Sequence, residues 1–249
     1  VVNDSTSTIS PAWPTRWPKD SFKSPWTWVL AIFITAIFGF AFVSGLKTST
    51  TALRGMSPLI VLFSLLVQFV LEGALVAGVL AALPRLSKFS LRELGFRRPD
   101  GATILTAVLG ALAMAVVANG GASLIDYLLH SSHQQDVVEI FKSLHQPAAM
   151  AAFVAFATIF APFAEETLFR VFFFNLGLRY GGFAAGAILS GVLFGMAHGD
   201  LIAALPLALG GVILCYVYYR TRNAFASMIS HGIFNAISIV ALLLAPQST

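Results

Sequence analysis

Three short groups of polar residues interrupt the apolar C-terminal half of this sequence. Glu165 and Glu166 lie side by side within the run TIFAPFAEETLFRVFFFN. Ionisable groups near a hydrocarbon interior cost roughly several kcal/mol, so they are rare there and usually functional. His198 follows on a later apolar stretch, and His231 on another, with Asn235 one helical turn after it. A glutamate pair followed by two separate histidines predicts a buried catalytic site.

Helical spacing divides the two glutamates between different roles. Glu166 and Arg170 are four residues apart, so they share a helix face and can form an ion pair. Glu165 points about 100° away and is free to face another neighbour. The spacing therefore predicts one carboxylate fixed structurally and one available as a base or ligand. A simpler alternative is that both carboxylates cap or solvate a helix start just after Pro162, but this does not explain the polar groups downstream.

These groups suffice for peptide hydrolysis with water as the nucleophile. Glu165 would take a proton from water, and His198 would help to hold and polarise that water. His231 and Asn235 would stabilise the negative tetrahedral intermediate. Alternatively, Glu165, His198 and His231 could hold a zinc ion, with water as the fourth ligand. The sequence lacks H-E-x-x-H, so such a site would need three separate helices, and the sequence does not separate the two mechanisms.

The composition is that of a membrane protein. The chain of 249 residues is 57% hydrophobic and only 10% charged, with a mean hydropathy of +0.84, whereas a soluble domain averages about 25% charged residues. This length predicts seven or eight membrane spans. The net charge of +4 comes mostly from loop Lys and Arg, which reports orientation in a bilayer and gives no indication of nucleic-acid binding.

The apolar stretches predict three regions along the chain. Residues 1–25 form a mobile or interfacial tail, and the first apolar span is too long for the core of a signal peptide, so we expect a retained helix. Region 26–146 holds three spans, at about 27–46, 58–83 (ending at Pro84) and 102–129, with a basic amphipathic loop over 84–100 that the positive-inside rule places in the cytoplasm. Region 147–245 is the catalytic core, in which residues 164–179 either continue the fourth helix past Pro162 or cross separately.

Small residues at spacing four lie on the predicted span 183–198. Such rows let helix backbones approach closely in a bilayer and would bring His198 toward its neighbours. The two rows are Gly182, Gly186 and Ser190, and Ala187, Gly191 and Gly195.

Other candidate residues have simpler explanations. Cys215 lies in an apolar span and is predicted to be a small buried hydrophobe. Glu72 lies in mid-span with Gln68 one turn earlier, and it either bonds to a neighbouring helix or pairs with a buried cation such as Arg170. In one polar segment, residues of the types that bind metals occur at every third position. A solvated face explains this spacing better than a metal site does; the residues are His130, His133, Asp136 and Glu139.

The three motifs together resemble a known family. Glu165-Glu166-x-x-x-Arg170, Phe194-x-x-x-His198 and His231-x-x-x-Asn235 are similar, in that order on successive spans, to the CPBP (Abi) family of CAAX proteases and bacteriocin-processing enzymes. The match covers about 147–245.

The resemblance implies an all-α polytopic bundle of about eight helices, an intramembrane endopeptidase with its site in a cavity within the bilayer. It implies that Glu165 activates water beside His198, and that His231 and Asn235 form the oxyanion site. Eukaryotic members of that family remove the last three residues of prenylated CAAX proteins. Both metalloprotease and metal-free glutamate mechanisms have been argued for the family.

Two rival functions remain at the level of sequence. One is a non-proteolytic scaffold or bacteriocin-immunity protein with the same fold, and the other is a transporter that relays protons through Glu72 and Glu165. A transporter would be expected to contain an inverted repeat, and no such repeat relates the two halves of this sequence. The predicted partners are membrane lipids and a peptide or lipidated protein substrate, in a multi-pass protein of a bacterial inner membrane or an endoplasmic reticulum.

Overall fold

The regular structure of this chain is helical in every part that the computed structural model describes, which is residues 17–47, 58–130 and 146–244. Three π-helical segments, Ala115–Asn119, Phe156–Phe160 and Thr167–Phe174, join α-helices end to end. The predicted all-α fold is confirmed. The α-helices are α1 Pro25–Lys47, α2 Pro58–Ser87, α3 Gly101–Met114, α4 Gly120–Leu129, α5 Pro147–Ala155, α6 Ala161–Glu166, α7 Asn175–Ala197, α8 Leu201–Thr221 and α9 Ala224–Leu244.

Five helical stretches are long and apolar enough to cross a membrane, which confirms an integral multi-pass protein. They are Leu66–Ser87, Gly101–Leu128, Pro147–Ala197, Leu201–Thr221 and Ala224–Leu244, and a shorter apolar helix covers Pro25–Phe40. In the described parts the chain forms six continuous helical stretches. The fourth is bent where Gly181 and Gly182 leave helical geometry, which gives seven rods and is close to the predicted number of about eight.

Two prolines lie inside helices instead of ending them. Pro84 was predicted to end the second span, but α2 continues to Ser87, because proline lacks only its own donor and Lys88 N still donates to Pro84 O. At Pro162 the helix also continues, which settles the alternative left open by the sequence. Pro162 stands in the first turn of α6, directly after a π-helical segment, where a missing N–H costs little.

Helices α7 and α8 pack closely through the small residues of α7. A Cβ added at Gly191 would lie 2.8 Å from Ala208 O on α8, and one at Gly186 would lie 2.6 Å from Phe174 O. The close packing predicted from the small-residue spacing is therefore present. It places α8 beside the π-helical segment that carries Arg170.

The basic loop between α2 and α3 is attached to the C-terminal helices. Tyr218 donates to Leu94 O at 2.7 Å, Asn223 Nδ2 donates to Arg97 O at 2.9 Å, and Ala224 N donates to Gly95 O at 2.9 Å. The apolar side chains of this loop pack on the protein core and not only toward lipid. The loop thus ties the ends of α8 and α9 to the N-terminal helices.

Candidate active site

The buried side chains of Arg170 and His231, from two different helices, both contact the buried carboxylate of Glu166. The Glu166 Oε1 atom lies 3.0 Å from Arg170 Nη1, one turn along the same continuous helix, and 3.0 Å from His231 Nδ1 on α9. Glu166 and Arg170 side chains are fully buried. The predicted ion pair is present, and the carboxylate also binds a histidine that sequence spacing could not assign to it.

The contact with Glu166 orients the imidazole of His231. A carboxylate paired with arginine is an acceptor, so His231 Nδ1–H must donate to it. The other ring nitrogen, Nε2, then faces Glu165 Oε2 at 3.9 Å. The Glu165 side chain is 25% exposed whereas that of Glu166 is not, and its Oε2 has no hydrogen-bond partner among the described residues. The Oε2 atom of Glu166 is likewise without a hydrogen-bond partner there, so the two glutamates differ in their exposure and in the two partners that Glu166 Oε1 binds.

The capping alternative does not fit the observed helix. Glu165 and Glu166 are the last two residues of α6, and the chain continues from them into the π-helical segment Thr167–Phe174. Carboxylates stabilise helix starts through the dipole, so helix capping does not account for this pair.

Arg170 is enclosed by aromatic and backbone groups. Its guanidinium carbon lies 4.4 Å from the centre of the Phe194 ring, a distance at which a cation is attracted to the ring face. Arg170 Nη2 donates to Gly211 O at 3.2 Å. A Cβ at Gly211 would lie 3.3 Å from Arg170 Nη2 and 3.1 Å from Gly191 Cα, so the glycine leaves room for this approach.

Phe194 connects the two histidines of the site. Its ring centre lies 4.9 Å from that of His198 and 5.4 Å from that of His231. His198 Nδ1 lies 2.8 Å from Phe194 O, and since a carbonyl only accepts, Nδ1–H donates and the Nε2 of a neutral ring is left as an acceptor. His198 itself is exposed. The described contacts join it to Phe194 and not directly to Glu165 or His231.

Asn235 is positioned by the π-helical segment before α6. Its Nδ2 donates to Ala157 O at 2.7 Å, which uses one of its two N–H groups. At Gly232, between His231 and Asn235, an added Cβ would collide with Thr158 O. The glycine therefore lets α9 lie against this segment, with His231 and Asn235 on the side of the glutamates.

The donor atoms proposed for zinc do not converge. Within the parts of the chain that the structure describes, no three His, Cys, Asp or Glu side chains lie close enough to hold a metal ion. His231 Nε2 faces Glu165 Oε2 at 3.9 Å, but no described contact brings His198 to either of them as a third ligand. The set Glu165, His198 and His231 does not fit a zinc ion in this arrangement, and the mechanism below has no step through one.

The other candidates lie outside this cluster. Glu72 accepts a hydrogen bond from Gln68 Nε2 at 2.7 Å, and the predicted pair with Arg170 is not formed because Arg170 binds Glu166. Cys215 is fully buried and unpaired by disulfide, as predicted. Of the polar segment, only His130 is described. A groove of about 540 Å³ between α3 and α8, which includes Asp100 and Arg220, is lined by none of the candidate site residues.

Sequence reasoning missed two features that shape the site. Ser190 Oγ donates to Phe169 O at 2.8 Å, which ties α7 to the π-helical segment that carries Arg170. The second feature is that segment itself, Thr167–Phe174, in which all eight consecutive residues are buried. Ser190 was noted only as a small residue, and no local signal in the sequence indicates π-helical geometry.

Comparisons with known proteins give a family match and two relatives. Residues 147–237 match the model of a family described as Type II CAAX prenyl endopeptidase Rce1-like. The chain is 25% identical over 217 residues to YdiL of Bacillus subtilis (strain 168), named a putative membrane peptidase, covering 85% of this chain and 82% of that protein. It is 30% identical over 113 residues to the UPF0177 protein YaiF of Lactococcus lactis subsp. lactis (strain IL1403), covering 44% and 47%.

No solved structure matches the chain. The matched region contains the full set of motif residues, from Glu165 to Asn235. The family resemblance predicted from the three motifs is thereby confirmed, with the match to the Rce1-like model over residues 147–237.

Proposed function

We propose that this protein is an intramembrane endopeptidase that hydrolyses a peptide bond near the C-terminus of a membrane-associated, CAAX-type prenylated substrate. One observation carries the proposal. Glu166 is fully buried and its Oε1 binds both Arg170 and His231, whereas the neighbouring Glu165 is 25% exposed, pairs with no arginine among the described residues and points Oε2 at His231 Nε2 from 3.9 Å. A carboxylate held ready in this way suits a general base.

In this mechanism Glu165 removes a proton from water, and the water oxygen bonds to the carbonyl carbon of the substrate. His198 Nε2 accepts a hydrogen bond from the other O–H group of the water and holds the water in place. The carbonyl oxygen becomes an oxyanion. Glu165 then returns its proton to the amide nitrogen, the C–N bond breaks, and an acid and an amine leave.

The oxyanion needs donors, and His231 and Asn235 supply them. Since His231 Nδ1–H is bound to Glu166, Nε2 donates only when the ring is an imidazolium. The Glu166 carboxylate, 3.0 Å from Nδ1, pairs with that cation while Glu165 holds the water proton. The second N–H of Asn235 is the other donor. Removal of one such donor in a dry site typically lowers the rate about 100- to 1000-fold.

The substrate class follows from where the site lies and from the family. Glu165, Glu166 and Arg170 lie within the apolar stretch Pro147–Ala197, and His231 lies within Ala224–Leu244. A peptide reaches such a site most readily when a lipid holds it at the membrane. The description of the matched family names prenyl CAAX endopeptidases, which supports a prenylated C-terminal peptide.

The test is peptide cleavage by the purified full chain in lipid nanodiscs. A pool of farnesylated and plain C-terminal peptides is incubated with wild type and with Glu165→Gln, and the products are read by mass spectrometry. We expect cleavage of farnesylated peptides by wild type and a loss of at least about 100-fold in Glu165→Gln. Glu93→Gln, the same change in the exposed loop, is the matched control and should cleave as wild type does.

Each outcome has a consequence for the proposal. Equal cleavage of plain and farnesylated peptides would retain the peptidase and remove the prenyl requirement. Intact peptides with a folded wild-type protein would favour the scaffold or immunity function. Loss of cleavage after chelation, restored by zinc, would show that a metal takes part and would replace the water-activation step assigned to Glu165.

A further inference from the structure

Glu72 is a carboxyl group in a membrane-spanning helix that the proposed reaction leaves unused. It lies within the apolar span Leu66–Ser87 of α2. Gln68 Nε2 donates to its Oε1 at 2.7 Å. The other oxygen, Oε2, is buried and has no hydrogen-bond partner among the described residues. A carboxyl in mid-span is costly and usually functional, and a hydrogen bond to one oxygen does not account for the second.

Helix α2 places this carboxyl beside the active site. The Phe69 ring of α2 lies 4.3 Å from the ring of Phe160, and a Cβ at Gly73 would be 3.9 Å from the tip of Phe160. Phe160 immediately precedes α6, whose last two residues are Glu165 and Glu166. The face of α2 that contains Glu72 therefore packs against the start of the short helix that carries Glu165.

Two unpartnered carboxyl oxygens thus come from different helices to one site. Both Glu72 Oε2 and Glu165 Oε2 are buried without a hydrogen-bond partner. A like charge nearby disfavours the ionised form of a carboxyl group, and since Glu165 faces His231, the proton of the pair is assigned to Glu72. The other charged or titratable groups around them are Glu166, Arg170 and His231, which bind one another, and His198, which is bound to Phe194.

The hydrogen bond from Gln68 indicates which carboxyl oxygen carries the proton. Gln68 Nε2–H donates to Glu72 Oε1, so Oε1 acts as an acceptor, and a proton on Glu72 belongs on Oε2. No direct hydrogen bond joins the two carboxyls, because both Oε2 atoms are unpartnered. A water molecule between them can accept from Glu72 Oε2–H and donate to Glu165 Oε2.

We propose that Glu72 is a positioning residue for the nucleophilic water: its protonated Oε2 donates to the water that Glu165 deprotonates. This inference rests on the proposed peptidase function. Glu72 keeps its proton throughout. The water proton passes to Glu165 and then to the leaving amine, so no other proton donor is required. Glu72 fixes the direction in which the water presents its lone pair to the substrate carbonyl.

The test compares two substitutions that differ only in the ability to donate. Glu72→Gln keeps an acceptor for Gln68 and places an N–H donor where the Oε2–H stood, so we expect kcat within about threefold of wild type. Glu72→Leu removes the donor and should lower kcat about 100-fold, as misplacement of a reacting group does, with KM nearly unchanged. Glu93→Gln and Glu93→Leu in the exposed loop serve as matched controls.

The pH profile separates positioning from a structural role. Deprotonation of Glu72 at high pH should lower kcat in wild type, and Glu72→Gln, which has no proton to lose, should keep its kcat at that pH. A Gln variant as inactive as the Leu variant, or a Leu variant as active as wild type, overturns the inference. Should Glu72→Leu fail to fold, as judged by thermal melting, Glu72→Met takes its place.

The Glu165→Gln variant tests the proposed peptidase function separately from the positioning role of Glu72. A wild type that cleaves peptide while Glu165→Gln does not supports the peptidase, whatever the Glu72 variants do. If the wild type cleaves no peptide, the peptidase proposal and the positioning role of Glu72 are both overturned. Cleavage by wild type together with an active Glu72→Leu variant overturns the positioning role alone.

Discussion

Two polar networks of similar hydrogen-bond length lie in opposite surroundings in this protein. In the membrane-spanning core, Glu166 binds Arg170 and His231 at 3.0 Å each. In the loop before α3, Glu93 Oε2 accepts from Ser90 N at 2.8 Å and from Ser90 Oγ at 2.7 Å. The first network is fully buried, whereas Ser90 and Glu93 are exposed.

The comparison teaches that burial, and not distance, decides what such contacts contribute. Two unit charges 4 Å apart gain about 1 kcal/mol in water and about 4 kcal/mol at an effective dielectric constant of 20. In the loop, water replaces any bond that breaks. In the core, a broken pair leaves an unpaired charge that water cannot reach. The core network therefore holds the site in a single arrangement, and the loop network only supports a turn.

Loss of the buried cation should have the largest effect. Arg170→Met fills similar space but leaves Glu166 without its main partner, and we expect a loss of about 3–5 kcal/mol. For a chain of this size that corresponds to a fall in melting temperature of about 10 °C. Cleavage should also be lost, because Glu166 no longer holds His231 in one orientation. Thermal melting followed by circular dichroism in detergent measures the first effect, and the nanodisc peptide assay measures the second.

A double variant tests the explanation for that loss. Adding Glu166→Gln to Arg170→Met removes the orphaned charge and should restore part of the melting temperature without restoring cleavage. If the double variant loses as much melting temperature as the two single variants together, the stabilisation does not come from pairing of these charges.

The packing that encloses the network should have an intermediate effect. Gly191→Ala would place a Cβ 2.8 Å from Ala208 O, so α7 and α8 must separate slightly, at a cost of about 1–3 kcal/mol. Gly78→Ala on α2 is the matched control, since nothing lies within 4 Å of its added Cβ. That change should be neutral or stabilising by up to about 1 kcal/mol. Equal melting temperatures for the two variants would contradict the close packing of α7 on α8.

Sequence spacing predicted the parts of the site that lie on one helix. Glu166 and Arg170 pair because four residues make one turn, and the small residues of α7 pack closely because side-chain size at spacing four is visible in the sequence. The spans predicted from hydropathy at 58–83 and 102–129 agree with long apolar helices. The matched family region contains all three motifs.

Contacts between helices could not be predicted in the same way. That His231 binds Glu166 while facing Glu165, and that His198 reaches the site through Phe194, depends on how α7 and α9 rotate about their axes. Helix rotation and the π-helical segments are set by the summed packing of many side chains. The sequence left two alternatives open at Pro162 for the same reason, and the chain there continues as one helix directly after a π-helical segment.

The smallest effect is expected at the exposed network, and it should depend on pH. Hydrogen bonds from the side chain and backbone of Ser90 hold the pKa of Glu93 below its ordinary value of 4.5. Because the folded pKa is lowered, this stabilisation is present above pH 4.5 and is lost as pH falls through the folded value. Glu93→Gln should therefore melt slightly below wild type at pH 7, with the difference vanishing once the pH falls below the lowered pKa of Glu93 in the folded protein. Molar salt should also reduce the difference, since exposed charges are screened. The melting deficit of Arg170→Met should persist in molar salt, because salt cannot screen a buried pair as it screens an exposed one. Should the two variants instead respond alike to salt, water reaches Glu166, and the contrast between the two networks would be wrong.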